Sequence, residues 1–308
     1  MTLLARHAAV SHVGRQRPGN EDSFLVQPPL YVVADGMGGA KAGEVASGMA
    51  VAALAEMLAQ PPADDEAAAA QLVDAAAEAN SRIYAAASED SARSGMGTTL
   101  TALLLRADHA LLVHIGDSRA YLLRGDELTQ LTQDHSLVAD MVREGRLAPD
   151  EARLHPYRSV LSRALGTEPD VEVDEFRVDL QTGDVLLLCS DGLSGPVPPD
   201  KLRKGLAAGD PEKAARRLVD EALRHGGPDN ITAVVLELSD AGLGSGPDAA
   251  ETLVLPATSP AAESPPPAAV ADLADDPPDD PPAADPPPRH WWTRRGREGR
   301  PDAPKESG

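Results

Sequence analysis

The chain has 308 residues, with 49 acidic and 28 basic side chains and a net charge of −21. So acidic a balance argues against nonspecific nucleic-acid binding, which needs a basic face. A single cysteine, Cys189, excludes a disulfide framework within one copy, and with only 3% aromatic residues any core must come from Leu, Val, Ala and Met.

Short apolar runs at residues 8–13, 23–27 and 30–34 read as strands. Residues 43–59 carry apolar side chains at helical spacing, stopped by Pro61-Pro62. An Ala-rich helix follows over 66–87, its acidic start suited to the helix dipole. Residues 98–105, 110–116 and 120–123 form an antiparallel meander with short polar turns. Two short helices, 135–145 and 149–153, lead into a polar stretch over 155–163. Residues 171–178 alternate apolar and acidic side chains as a half-buried strand, and 185–189 is a buried strand in which Cys189 serves as a small hydrophobe. Helices at 198–208 and 211–224 precede a last strand at 231–238. Strands and helices are thus clustered rather than alternating, which predicts α+β and not a doubly wound parallel sheet. Two sheets face to face, with a helix pair outside each, is the simplest arrangement that buries both faces.

No apolar run reaches the ~18 to 20 residues of a membrane span, and no apolar leader segment opens the chain. A soluble, cytoplasmic chain is the expectation. Fifteen of the 28 prolines lie beyond Ser239. Through Ser239 there are 36 acids and 22 bases, a net −14; beyond it there are 13 and 6, a net −7. Residues 1–239 are therefore read as one folded domain, and 240–308 as a disordered, acidic, Pro-rich tail. The tail holds a basic patch, Arg289-His-Trp-Trp-Thr-Arg-Arg-Gly-Arg297, around Trp291 and Trp292. Such a patch can lie in a membrane interface, dock on a partner, or simply be solvated.

The densest chemistry lies in Asp35-Gly36-Met37-Gly38-Gly39, directly after the apolar run 30–34. A carboxylate at a strand end, beside the exposed carbonyl of a glycine, presents hard oxygen ligands to a small divalent cation. Companion acids stand in Asn20-Glu21-Asp22, Gly116-Asp117-Ser118-Arg119, Ser190-Asp191-Gly192 and Asp229-Asn230. Any one Asp-Gly pair is more often a surface turn. The ordered set, with Arg17 five residues before Asp22, is what carries meaning.

That set resembles the metal-dependent protein phosphatase family, the protein phosphatase 2C type, in its bacterial form. The resemblance runs from about Arg6 to Leu238 and includes Gly43-Glu-Val-Ala-Ser47, Gly95-Met-Gly-Thr-Thr-Leu100, Leu161-Ser-Arg-Ala-Leu-Gly166 and Gly227-Pro-Asp-Asn-Ile-Thr232. It implies an αββα sandwich with the acids in a cleft at one end between the sheets. It implies hydrolysis of phosphoserine and phosphothreonine by water that two metal ions activate, the chain opposing a bacterial Ser/Thr kinase and working as a monomer. Two cations ~3.5 to 4 Å apart both activate water and screen phosphoryl oxygens, and a bridging carboxylate must hold them together. By resemblance Asp35 is that bridge, Asp22, the Gly36 carbonyl, Asp191 and Asp229 complete the shell, and Asp117 helps to hold a third, weaker ion. All-oxygen ligands suit Mn²⁺ or Mg²⁺ rather than zinc. Glu21, next to Asp22, is placed to hold a metal-bound water of the site.

Arg17 matches the family's phosphate-binding position, where a guanidinium fork fits two phosphoryl oxygens. Two positions depart from the pattern. Met37 stands where eukaryotic relatives carry a His and bacterial relatives commonly have Met, and Ala40, followed by Lys41, stands right after Gly39 where many bacterial relatives have a His. Both leave the leaving-group proton donor open: His135 is a candidate, though a structural role suits it better, and metal-bound water is the other. Other readings are a phosphatase of small metabolites, with residues 136–163 as a flap that selects substrate, and a non-catalytic phosphoprotein-binding regulator.

Overall fold

A computed structural model describes residues 3–38, 42–152 and 154–240. The departure at Ala40 and Lys41 and the tail with Trp291 and Trp292 lie outside these residues.

Within the described residues the strands form two antiparallel sheets. One has the order β1 (Leu3–His12), β11 (Ile231–Asp240), β10 (Val185–Cys189), β7 (Arg119–Arg124), β8 (Glu127–Gln130). The other has the order β2 (Asp22–Gln27), β3 (Leu30–Met37), β5 (Leu100–Leu105), β6 (His109–Ile115), β9 (Asp174–Asp179), and the two-residue β4 (Gly97–Thr98) pairs with the end of β3. Helices α1 (Ala42–Met57) and α2 (Asp65–Glu89) cover the second sheet, and α6 (Pro199–Leu206) and α7 (Pro211–Arg224) cover the first. The short helices α3 (Leu137–Arg143), α4 (Pro149–Ala152) and α5 (Asp191–Ser194) sit in connections.

Alternation along each central strand produces this layering, because successive side chains point to opposite faces. In β3, Leu30, Val32 and Ala34 face α1 and α2, while Tyr31 and Val33 enter the space between the sheets. In β11, Ile231, Ala233 and Val235 face α6 and α7, while Val234, Leu236 and Leu238 point inward. Three apolar layers result, which is the αββα sandwich. Strands apolar on both faces are what a sheet covered on both sides requires.

Small residues let α1 approach its sheet closely. Ala46, Ala50 and Ala53 are fully buried. At the start of α1 the approach is tighter still: a Cβ on Gly36 would lie 2.1 Å from the Gly43 carbonyl oxygen. Helix α2 is capped by Asp64, whose carboxylate accepts from the Ala67 N–H.

Most expected elements are present, with shifted ends. Strand β1 begins at Leu3 rather than Ala8, and β9 begins at Asp174 rather than Val171. Strand β8 was not expected, because Glu-Leu-Thr-Gln offers one apolar side chain and lies at a sheet edge. No helix among the described residues is long and apolar enough to cross a membrane.

Candidate active site

Strand pairing brings the first two acids together. Asp22 opens β2 and stands directly opposite Asp35 on β3. The second pair comes from the other sheet: Asp191 follows the end of β10, and Asp229 precedes β11. Two hydroxyls join the halves, since Ser190 Oγ and Thr232 Oγ1 donate to Asp22 Oδ2 at 2.8 and 2.6 Å. Asp117, in the β6–β7 loop, completes the group.

The electrostatics match a crowded acidic cleft. Burial, together with Asp22, Asp191, Asp117 and Asp229, holds the Asp35 carboxyl well above the ordinary range. Burial pushes Asp22 up to about 6, with Asp191 adding to it, and Asp191 up to about 6, with Asp229 adding to it. Asp117 is likewise raised by burial and by Asp191 and Asp134, while Arg119 opposes the shift. Like charges this close disfavour joint ionisation unless a cation compensates them. Asp22 Oδ1 is buried with no hydrogen-bond partner, an unmet acceptor that a hard cation or its water would satisfy. The donor set is all oxygen. These features fit Mn²⁺ or Mg²⁺. Among the described residues, no three acid, His or Cys side chains already stand as a closed cage. The geometry gives a reason, since Asp22 is turned partly onto two hydroxyls and Asp229 onto Arg17.

Arg17 Nη2 donates to Asp229 Oδ2 at 2.6 Å, a contact that raises the guanidinium's affinity for its proton. The phosphate-binding candidate and a ligand candidate are therefore partners in this state. Glu21 is raised by burial, and its carboxylate lies against Gly43 at the start of α1. Its backbone carbonyl accepts from Gly36 N–H and from the Ser47 hydroxyl, at 3.1 and 2.6 Å. The Gly43-to-Ser47 motif thus fixes α1 onto the loop before β2.

Sequence reasoning passed over several residues that shape the cleft. Thr98 Oγ1 donates to the Asp35 carbonyl, and Thr99 Oγ1 accepts from the Asp35 N–H, both at 2.9 Å. Asn230, 3% exposed, is the main staple. Its Nδ2 donates to the carbonyls of Val13 and Gly19, both at 2.9 Å, and its Oδ1 accepts from Glu21 N–H at 2.8 Å. Asn230 thereby holds the Arg17 loop against the turn that carries Asp229. Next to it Gly192 is obligatory, since a Cβ there would lie 1.8 Å from the Asn230 carbonyl oxygen. The motif Gly-Pro-Asp-Asn-Ile-Thr and the Thr-Thr pair were visible as resemblance, but spacing alone does not tell what such hydroxyls and amides bond.

His135 is a structural residue. It is 2% exposed, its Nδ1 accepts from Gly116 N–H at 3.1 Å, and its Nε2 lies 3.1 Å from Asp174 Oδ2. With both ring nitrogens engaged, it has none to offer a leaving group.

The family model for protein phosphatase 2C matches residues 10–237. The chain belongs to the protein phosphatase 2C family. The crystal structure of the serine/threonine phosphatase PstP/Ppp of Mycobacterium tuberculosis is 46% identical, with a TM-score of 0.73, covering 77% of this chain and 99% of that one. A structure of the PstP catalytic domain in complex with two manganese ions is 44% identical, with a TM-score of 0.71, and covers 78% of this chain and all of that one. The serine/threonine phosphatase stp of Listeria innocua is 40% identical over 232 residues, 73% of this chain and 92% of its own length. Full-length PstP is 45% identical over 270 residues, 84% of this chain, and the match spans about half of PstP's length, 51%. This family assignment agrees with the antiparallel αββα architecture.

Proposed function

We propose that this family member is a metal-dependent protein serine/threonine phosphatase, with residues 1–239 as its catalytic unit and 240–308 as a tail outside it. The observation that carries the reading is the convergence of Asp22 and Asp35 from one sheet with Asp191 and Asp229 from the other, in a chain similar to a phosphatase solved with two manganese ions. Asp22, Asp35, Asp191, Asp229 and the Gly36 carbonyl are the residues that would hold two Mn²⁺ or Mg²⁺ ions, with Asp117 toward a third, weaker one. When bound, such ions supply positive charge for the phosphoryl oxygens and a water acidic enough to attack at neutral pH.

The chain's own residues do the rest. Arg17, at 47% side-chain exposure, reaches the mouth of the cleft and offers its fork to the non-transferred oxygens of a phosphate. Asp229 orients that fork before substrate arrives. Thr98, Thr99, Ser190 and Thr232 hold the backbone and side chains of Asp35 and Asp22, so that little has to be ordered at the moment of reaction. The substrates are phosphoproteins, a Ser/Thr kinase that this chain opposes among them, and the protein acts as a cytoplasmic monomer. The similarity to the named phosphatases PstP and stp supports a protein substrate over a metabolite.

The test is phosphate release from a phosphothreonine peptide and from sugar phosphates, with added Mn²⁺ and with excess chelator. Turnover of the peptide in manganese and none in chelator is the expected result. Full turnover at confirmed near-zero metal content would overturn the two-metal reading, and preference for the sugar phosphates would overturn the protein substrate.

A further inference from the structure

We infer that His135 is a positioning residue that ties the Asp117 loop to residues 137–160, so that the seating of that segment governs where Asp117 stands. The inference rests on the proposed part of Asp117 in the acidic cleft.

The connection is continuous through space. Gly116, immediately before Asp117, gives both of its backbone groups to one residue. Its N–H donates to His135 Nδ1 at 3.1 Å, and its carbonyl accepts from His135 N–H at 2.7 Å. Because Nδ1 accepts, the ring proton sits on Nε2, which lies 3.1 Å from Asp174 Oδ2. Asp174 Oδ1 in turn accepts from Arg163 Nη1 at 2.7 Å. Arg163 stands just beyond the segment, whose two legs close on His135 and its neighbour. The Ser162 N–H donates to the His135 carbonyl at 2.9 Å, Leu137 N–H to the Val160 carbonyl at 2.9 Å, and Ser136 pairs with Leu161.

The other flank of Asp117 is anchored independently. Ser118 Oγ lies 2.7 Å from Thr99 Oγ1, the same oxygen that accepts from Asp35 N–H. Asp117 is thus suspended between a fixed anchor on Asp35 and a brace that leads to the segment. That segment carries Leu154, Tyr157 and Val160, large apolar side chains at 87%, 58% and 45% exposure. A partner covering them would shift the legs, and His135 and Gly116 give a direct hydrogen-bonded route from the legs to an acid of the cleft. A buried histidine bonded at both nitrogens transmits such a shift because breaking either bond would leave a costly unpaired polar group.

Asp174→Ala tests this from the far end, and because Asp174 also stands opposite His114 at the end of the β6–β9 ladder, Arg163→Met is measured beside it. In metal-free protein the Gly116 amide should exchange with solvent about tenfold faster than in wild type. The amides of Ala102 and Leu104 on β5 should stay protected, which separates a loosened brace from general instability. On a phosphothreonine peptide with manganese, kcat should fall several-fold with KM within about twofold. His135→Asn keeps an acceptor for Gly116 but loses the bond to Asp174, and combined with Asp174→Ala it should add nothing. Arg163→Met, which leaves both His135 and Asp174 in place, serves as a second probe should Asp174→Ala not fold. Gly116 exchange within about twofold of wild type would overturn the inference, whatever turnover does. Faster Gly116 exchange with unchanged turnover would leave the brace standing and overturn instead the part given to Asp117 in hydrolysis.

Discussion

Asp35 is where the repulsion of the cleft concentrates, so its substitution should have opposite effects on rate and stability. Asp35→Asn removes the carboxylate proposed to hold both ions and should leave less than about a tenth of wild-type turnover, a loss above ~1.4 kcal/mol in transition-state stabilisation. The same change should stabilise the metal-free protein at pH 7. A carboxylate raised above its unfolded value favours the fold while protonated, and that contribution is lost as pH rises through the folded-state value. With Asp22 and Asp191 raised to about 6 and Asp35 held well above the ordinary carboxylate range, the repulsion in the metal-free protein grows as pH rises through neutrality. The difference in Tm between Asp35→Asn and wild type should therefore be largest at pH 7 to 8 and shrink as pH falls toward 5. Comparing the two cancels His114, which burial pushes down to about 4 and which destabilises both proteins in acid. A variant that was less stable than metal-free wild type at pH 7 would contradict the crowding argument. Arg17→Ala should act differently, because in the proposed role a fork on non-transferred oxygens serves ground and transition states alike. KM for a phosphopeptide should rise more than kcat falls; a large drop in kcat at constant KM would place Arg17 elsewhere in the mechanism.

At the scale of elements, Asn230 carries the most for its size. Three hydrogen bonds at 2.8 to 2.9 Å join β11's lead-in turn to the β1–β2 loop through one buried amide. Asn230→Ala leaves two carbonyls and an N–H without their partner, at a cost of about 3 kcal/mol, or a fall in Tm of roughly 6 to 12 °C. A melting curve displaced by less than about 2 °C would show that the loop finds other partners. Here lies the limit of what a sequence discloses. Asp35 was legible because five apolar residues announce a strand and Asp-Gly announces its end. The two helix pairs were legible because 3.6-residue periodicity survives in α7, where Ala214, Ala215, Leu218, Val219 and Ala222 are buried. Strand β8 was not, with one apolar residue in four, and neither was the start of β1, where Leu4 points to solvent at 49% exposure. Thr99, Ser190 and Thr232 are short polar side chains with no period; only the meeting of two sheets decides which oxygen each one bonds. The Arg17–Asp229 pair is separated by 212 positions and needs β1 on β11 before it can exist.

For the whole molecule the question is how much of the chain the proposed chemistry needs. Every acid of the cleft lies at or before Asp229, and β11 runs to Asp240 in pairing with β1, Asp240 opposite Leu3. Strand β11 also pairs with β10 on its other side, so a cut inside it would open the centre of a sheet, whereas a cut after Asp240 breaks none of these pairs. The residues beyond differ in kind, with 15 prolines and a net −6 in the last stretch of sequence. A chain ending at Asp240 should therefore melt within a few degrees of the full chain and hydrolyse a phosphothreonine peptide at a rate within about twofold. Removing an acidic stretch should also leave the proposed manganese requirement unchanged, because every candidate ligand lies at or before Asp229. Any difference should appear instead in binding to anionic vesicles, where the arginines around Trp291 and Trp292 would act. Loss of peptide turnover in the shortened chain, with its fold intact by circular dichroism, would mean that residues past Asp240 take part in catalysis and that the boundary at Ser239 is misplaced.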